Sequence, residues 1–136
     1  MLKTLQPDGW AKPAGYANGV SARGRIIHVA GQIGWNEDSK FETDDFVRQV
    51  RQSLQNVVAV LACDDAAAEH IVSMTWYFIN KREYLDNLKG VGQAYRETIG
   101  QHFPAMTAVE VSSLMEDGAK VEIQAVAVVP DAQAPV

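Results

Sequence analysis

The sequence predicts a single α+β domain in which a mixed or antiparallel sheet carries two helices on one face. Two segments, residues 44–62 and 83–99, repeat apolar side chains every three or four positions, which is the pattern of an amphipathic helix. Two β-rich runs near the C-terminus flank the pair Asp117-Gly118, a strong signal for a hairpin or tight turn. The second run, residues 119–129, places apolar side chains at alternate positions on one face, as a strand packed on a core does.

The elements are expected in the order β-β-α-β-α-β-β after an irregular N-terminal arm. Proline and glycine recur in this arm, and their presence favours a loop over a regular element. The chain, residues 1–136, is interpreted as one domain with the arm at 1–15 and a tail at 131–136. The other predicted strands are residues 16–21, 25–32, 71–79 and 103–111.

Local signals set the expected ends of the helices. Thr43 or Asp44 can cap the first helix, and the acidic Asp44-Asp45 pair suits the positive end of its dipole. Residues 80–82 are expected to form a charged turn before the second helix, and Gly100 is well placed to end that helix.

The last predicted strand has two different faces. Opposite its apolar face, the side chains change from the polar Lys120, Glu122 and Gln124 to the apolar Val126 and Val128. This pattern predicts a central strand whose polar stretch lies near a cleft or an interface.

Composition excludes several classes of function. The net charge of −5 and the pI of about 5.1 leave no basic footprint for nucleic acid, and no apolar run is long enough to span a membrane. A single cysteine, Cys63, excludes an internal disulfide and suits a reducing compartment, so a cytoplasmic protein is expected. No motif supplies metal ligands or a phosphate-binding loop, so neither a metal nor another cofactor is expected.

Five short segments carry a family resemblance. The clearest are Pro-Ala-x-[Ser/Thr]-x-Val-Glu-Val at residues 104–111 and Lys-Val-Glu-Ile-x-Ala-x-Ala at residues 120–127. The others are residues 25–34, 49–57 and 71–75. Together they resemble the RidA/YjgF family of small trimeric proteins, and the resemblance covers nearly the whole chain, from Tyr16 to Val129. That family includes enamine/imine deaminases and proteins once labelled L-PSP endoribonucleases.

The resemblance implies a chorismate-mutase-like fold and a homotrimer. In such a trimer, three sheets surround a barrel-like core, and a small-molecule metabolite binds at each subunit boundary. The partly apolar second face of residues 119–129 suits this arrangement, because a sheet with helices on one side only would otherwise expose that patch.

The resemblance also implies the residues of the site. Glu122 is retained, and its implied catalytic role is to position or activate a water molecule. Tyr16 corresponds to a wall of the family pocket, and backbone groups near Gly31 or Ala105 are expected to polarise the reacting atom. The family arginine that grips a substrate carboxylate is absent, because Met106 occupies its position.

Three further polar positions of the family are replaced by small residues, at Ala30, Gly92 and Ala108. A buried carboxylate without its arginine is costly, so the sequence predicts a pocket that does not hold a small 2-imino or 2-keto acid in the usual manner. A flexible methionine suits an apolar or aromatic ligand instead. The candidate substrate-binding residues are Tyr16, Ala30, Gly31, Trp35, Gly92, Ala105, Met106 and Thr107.

Each assignment has a structural alternative. Glu122 is also explained by an ion pair with Lys120 or with a neighbouring subunit, and Met106 by interface packing. Tyr16 and Trp35 suit either a wall of the site or a trimer surface. An arginine of another subunit is an alternative source of the missing charge, and the candidates are Arg48, Arg51, Arg82 and Arg96.

Three functions follow from this reading. The first is an enzyme that deaminates, or otherwise hydrolyses or tautomerises, an enamine- or imine-type metabolite, with Glu122 as a base whose pKa an apolar pocket would raise. The second is a non-catalytic trimer that binds a metabolite or a partner protein at the same cleft, which the missing arginine favours. The third, an endoribonuclease, is disfavoured by the acidic pI and by the lack of a His/Lys/Arg cluster.

Overall fold

The computed structural model describes residues 2–131, in which a four-stranded mixed sheet carries helices on one face. This architecture confirms the predicted α+β class. The strands are β1 (Lys3–Leu5), β2 (Gly19–Ser21), β3 (Arg25–Ile33), β4 (Ile71–Phe78), β5 (Ala105–Glu110) and β6 (Val121–Val129), the helices are α1 (Phe46–Ala62), α2 (Lys81–Asp86) and α3 (Leu88–Thr98), and a 3-10 turn covers Ala68–His70. Within this described part of the chain, none of the helices is both long and apolar enough to cross a membrane.

The four strands of the main sheet lie in the order β3-β6-β4-β5. Strand β6 pairs antiparallel with both β3 and β4, so the prediction that it is a central strand is confirmed. Strand β5 pairs parallel with β4 at the edge, which makes the sheet mixed.

The expected hairpin across Asp117-Gly118 is wrong, although the local turn is present. The amide of Ala119 donates to the carbonyl of Glu116, which closes a turn around this pair. Strands β5 and β6 do not pair, because β4 lies between them. The ten-residue link, residues 111–120, is long enough to cross β4, since neighbouring strands are only about 4.8 Å apart.

The predicted second helix is two helices. Asn87 leaves helical geometry, with φ −123° and ψ 23°, and separates α2 from α3. Its side-chain amide donates to the carbonyl of Glu83 at 2.7 Å and so satisfies a group that the break would leave unpaired. The predicted turn at residues 80–82 is also wrong, because Asn80 caps α2 by accepting from the amide of Glu83 at 3.2 Å.

The N-terminal arm is not entirely irregular. Its strand β1 pairs antiparallel with β2, with Thr4 opposite Val20. The predicted strand at residues 16–21 is therefore shorter than expected, and it belongs to this small second sheet. Ala17 forms an isolated parallel bridge with Ala105 at the start of β5, which brings the end of the arm beside the edge of the main sheet.

The main sheet has a helix face, packed against α1 and α3, and an opposite face that is called the open face below. On β6, Val121, Ile123 and Ala125 are buried in the core with the apolar stripe of α1, as the alternating pattern predicted. The intervening Glu122 and Gln124 therefore point to the open face.

Helix α1 is fixed at its start and tied to β6. Asp45, rather than the predicted Thr43 or Asp44, is the N-cap, and its carboxylate accepts from the amide of Arg48 at 2.9 Å. Gln49 is fully buried, and it accepts from the amide of Lys120 at 2.9 Å and donates to the carbonyl of Gly118 at 2.9 Å. The turn that leads into β6 is thus fastened to α1.

Candidate functional site

A cavity of about 490 Å³ lies on the helix side of the edge strand β5. Its walls come from α3, from β5 and its neighbour β4, and from the end of the N-terminal arm. The lining residues are Ala14, Gly15, Tyr16, Trp76, Tyr84, Leu88, Val91, Gly92, Tyr95, Arg96, Phe103, Met106 and Ala108. This volume is within the range of small-molecule sites.

Aromatic rings form much of the cavity wall. The ring of Tyr95 stacks on that of Phe103 with a centroid separation of 5.5 Å and lies 6.4 Å from that of Trp76. The Tyr95 hydroxyl donates to the carbonyl of His102 at 2.5 Å, which fixes the ring. Burial raises the pKa of the Tyr95 phenol well above its ordinary value, which favours the protonated hydroxyl that makes this hydrogen bond.

The pairing of β5 with β4 directs two predicted positions into this cavity. Met106 lies opposite Met74, and Ala108 lies opposite Trp76. Because Met74 and Trp76 are buried on the helix face, Met106 and Ala108 point to that face as well. Tyr16, which is 43% exposed, stands at the rim. Three predicted residues, Tyr16, Gly92 and Met106, thus line one cavity.

One predicted residue in the cavity, Gly92, has a charged neighbour. A Cβ added at Gly92 would lie 3.2 Å from Nη1 of Arg96, which is one helical turn further along α3. Among the described residues that line the cavity, Arg96 is the only one with a charged side chain.

Glu122 lies elsewhere, over a bulge in β3. The register between β3 and β6 shifts between Val29 and Gln32, so Ala30 and Gly31 form the bulge. A Cβ on Gly31 would overlap the Glu122 carboxylate, so a larger residue here would displace this carboxylate from its position. Glu122 and Gly31 are therefore in direct contact on the open face.

Glu122 has no protein partner for its charge in the described chain. Lys120, the alternative partner suggested by the sequence, instead pairs with Glu83 at 3.0 Å. No hydrogen bond to the Glu122 side chain is formed within residues 2–131 either. The carboxylate is half-buried and keeps its acceptor capacity for a ligand or a water molecule.

The remaining predicted residues do not line the cavity. Trp35 packs against Phe41 with ring centroids 5.8 Å apart, in the loop after β3. Thr107 lies opposite Thr75 and so points to the open face, while Ala105 pairs with Ser73 at the start of β5. Met106 and Glu122 are on opposite faces of the sheet, so a single copy of the chain does not bring them together.

The comparisons with known proteins identify the family. Residues 10–129 match the family described as Endoribonuclease L-PSP. The 2-iminobutanoate/2-iminopropanoate deaminase of Escherichia coli K12 is 33% identical over 132 residues, which cover 94% of this chain and 98% of that protein. The chain belongs to this family. The predicted membership of the RidA/YjgF family is therefore confirmed.

Solved structures of similar proteins share the fold. The Rid family protein YyfB of Yersinia pestis, a protein of unknown function, superposes with a TM-score of 0.82 at 25% identity, covering 94% of this chain and 98% of that chain. Escherichia coli TdcF, crystallised with bound serine, gives a TM-score of 0.66 at 25% identity, covering 93% of this chain and 98% of that one.

In this Rid family member, the sequence pattern did not identify all of the cavity walls. Trp76 and Tyr95 are core residues, 5% and 6% exposed, and both also line the cavity. In the sequence, Tyr95 belongs to the apolar stripe of the predicted helix at residues 83–99, and that pattern does not distinguish a core residue from a cavity wall. Arg96 was considered only as a residue of another subunit, although the spacing of four residues from Gly92 was a signal that the two share a face of α3.

Proposed function

We propose that the protein is an enzyme that hydrolytically deaminates imine metabolites, including those formed by tautomerisation of enamines, with a substrate specificity that differs from that of its deaminase relatives. The observation that carries this proposal is the Glu122 carboxylate, which lies against Gly31 without a cation or a hydrogen-bond donor from the described chain. Support also comes from the Escherichia coli 2-iminobutanoate/2-iminopropanoate deaminase, which is 33% identical to this chain.

The proposed reaction needs one base and one water molecule. Glu122 takes a proton from the water as its oxygen bonds to the imine carbon. That proton passes to the nitrogen and gives a carbinolamine. Glu122 then takes the proton of the new hydroxyl and delivers it to the nitrogen as the carbon–nitrogen bond breaks, so ammonia leaves and the carbon becomes a carbonyl. The bulge at Ala30 and Gly31 offers backbone groups beside Glu122 that can orient the reactants.

The site is proposed to form between subunits of a homotrimer. Its two parts, the cavity around Met106 and the carboxylate of Glu122, occupy opposite faces of the sheet, so a second copy is needed to unite them. The open face also carries apolar side chains for such packing, because Ile26 is 61% exposed and Val109 is 38% exposed.

The decisive variant is Glu122→Gln, which keeps the shape of the side chain and removes the base. Imines are generated in situ from L-amino acids by an amino-acid oxidase, and the rate of 2-keto acid release is measured. We expect turnover to fall about 10²- to 10⁴-fold. The matched control is Glu116→Gln, in an exposed loop, which should leave turnover unchanged. Equal turnover by the Glu122→Gln variant and the natural protein would refute the catalytic role.

A non-catalytic binding protein is the second candidate, and Met106 is the observation that favours it. This residue gives the edge strand an apolar side chain at the position where the family resemblance implies an arginine that binds the substrate carboxylate. Under this reading, the natural protein binds metabolites or a partner at the cleft but releases no keto acid above the spontaneous rate. A ribonuclease has no support beyond the family description, because the chain is acidic with a pI of about 5.1.

A further inference from the structure

We propose that Arg96 on α3 is the anion-recognising residue of the cavity, and that the ligand is a carboxylate with an aromatic or branched apolar group. This inference names the substrate class of the proposed function and rests on it for the chemistry, but its binding step is tested separately. The family motifs do not include Arg96, and the sequence suggested it only as a residue of a neighbouring subunit.

Arg96 is exposed, and its charge is unengaged. Arg25 pairs with Asp64, and Arg51 pairs with Glu97 at 2.6 Å, whereas Arg23 and Arg48 resemble Arg96 in having no carboxylate partner within the described residues. Arg96 forms no ion pair and no side-chain hydrogen bond within residues 2–131. The neighbouring Glu97 is already engaged, since Arg51 and Gln93 both donate to its carboxylate.

Gly92 leaves space beside Arg96. The Nη1 atom of Arg96 lies 3.2 Å from the position of a Cβ at residue 92, and such a separation is closer than ordinary van der Waals contact. A side chain at this position would require the guanidinium to shift by at least a few tenths of an ångström. Gly92 therefore allows the guanidinium to lie close to the turn of α3 that forms the cavity wall.

Arg96 shares the cavity lining with apolar side chains. The cavity of about 490 Å³ is lined mainly by aromatic and aliphatic side chains, among them Trp76, Tyr95, Phe103 and Met106. A planar, permanently charged guanidinium binds a carboxylate through two parallel hydrogen bonds. An apolar wall facing it adds affinity for a ligand that carries a ring or a branched chain beside its carboxylate. One cation in such a cavity thus selects an amphipathic anion over a small one.

The first test compares ligands of matched shape by calorimetry and by quenching of tryptophan fluorescence. The ligands are phenylpyruvate, pyruvate, and the methyl ketone analogue of phenylpyruvate, which keeps the ring and lacks the carboxylate. The natural protein should bind phenylpyruvate more tightly than either of the others. Binding of pyruvate that equals or exceeds binding of phenylpyruvate would overturn the proposed ligand class.

The second test changes the residues. Arg96→Gln should weaken phenylpyruvate binding about tenfold to a hundredfold and leave the methyl ketone unaffected, because only the carboxylate contact is lost. Gly92→Asn should weaken it in the same selective way, and Arg96→Lys should retain part of it. The control is Arg23→Gln, an exposed arginine in the turn before β3. An Arg96→Gln variant that binds phenylpyruvate as tightly as the natural protein, or that loses both ligands equally, would refute the role of Arg96.

The binding result is separable from the catalytic one. Glu122→Gln tests turnover, whereas the comparison of phenylpyruvate with its ketone analogue needs no turnover. If Glu122→Gln is fully active while Arg96→Gln loses carboxylate selectivity, the catalytic role of Glu122 is refuted and carboxylate binding by Arg96 is supported. If Glu122→Gln is inactive while Arg96→Gln binds phenylpyruvate normally, the catalytic role of Glu122 is supported and carboxylate binding by Arg96 is refuted.

Discussion

Gln49 offers a sharp test of how the fold positions Glu122. Its side chain is fully buried and uses both amide protons and its oxygen, because it donates to the carbonyls of Thr43 and Gly118 and accepts from the amide of Lys120. The substitution Gln49→Met has a similar volume and removes all three hydrogen bonds. At about 1 kcal/mol for each bond, the free energy of unfolding should fall by about 3 kcal/mol. For a chain of this size, the corresponding fall in Tm is about 10 °C.

The measurement is urea unfolding followed by tryptophan fluorescence, at one fixed protein concentration because association would add to the apparent stability. The control is Gln55→Met, the same substitution at an exposed position of the same helix, which should change the free energy of unfolding by less than about 0.5 kcal/mol. A loss below about 1 kcal/mol for Gln49→Met would show that these bonds do not hold the start of β6.

Two further predictions concern the cavity and the assembled site. Burial raises the pKa of the Tyr84 and Tyr95 phenols above the ordinary value of 10.0, so the unfolded chain loses these protons at a lower pH than the folded chain does. Stability should therefore be complete below pH 10 and decline as the pH rises above it, and Tyr95→Phe should flatten that decline in unfolding curves measured at alkaline pH. For a composite site, Glu122→Ala and the cavity-filling Met106→Trp should each be inactive alone, whereas trimers assembled randomly from equal amounts of both should recover about one quarter of the sites. Mixed trimers, verified by native mass spectrometry, that stay inactive would contradict a site shared between subunits.

The sheet shows which features the sequence could predict. The central position of β6 was predictable because its second face changes from polar to apolar at Val126 and Val128, in addition to the alternation that marks its buried face. No sequence pattern indicated that β5 pairs with β4. The Asp117-Gly118 pair reports only the local turn, and strand pairing depends on which edge of β4 is open in the folded sheet. The break at Asn87 was hidden for a related reason, since the apolar stripe continues from α2 into α3.

The site illustrates a second limit of sequence patterns. Met106 occupies the position of the family arginine, so the motif alone indicated that a carboxylate-binding side chain is lost. A motif gives the residue at each position of the sequence but not which residues share a cavity. In the structure, the apolar Met106 on β5 and the charged Arg96 on α3 line the same cavity. Gly92 is close to this charge, because a Cβ at this position would lie only 3.2 Å from Nη1 of Arg96. A substitution that removes charge from a strand therefore does not show that the site is uncharged, since a neighbouring helix can supply the charge from another wall.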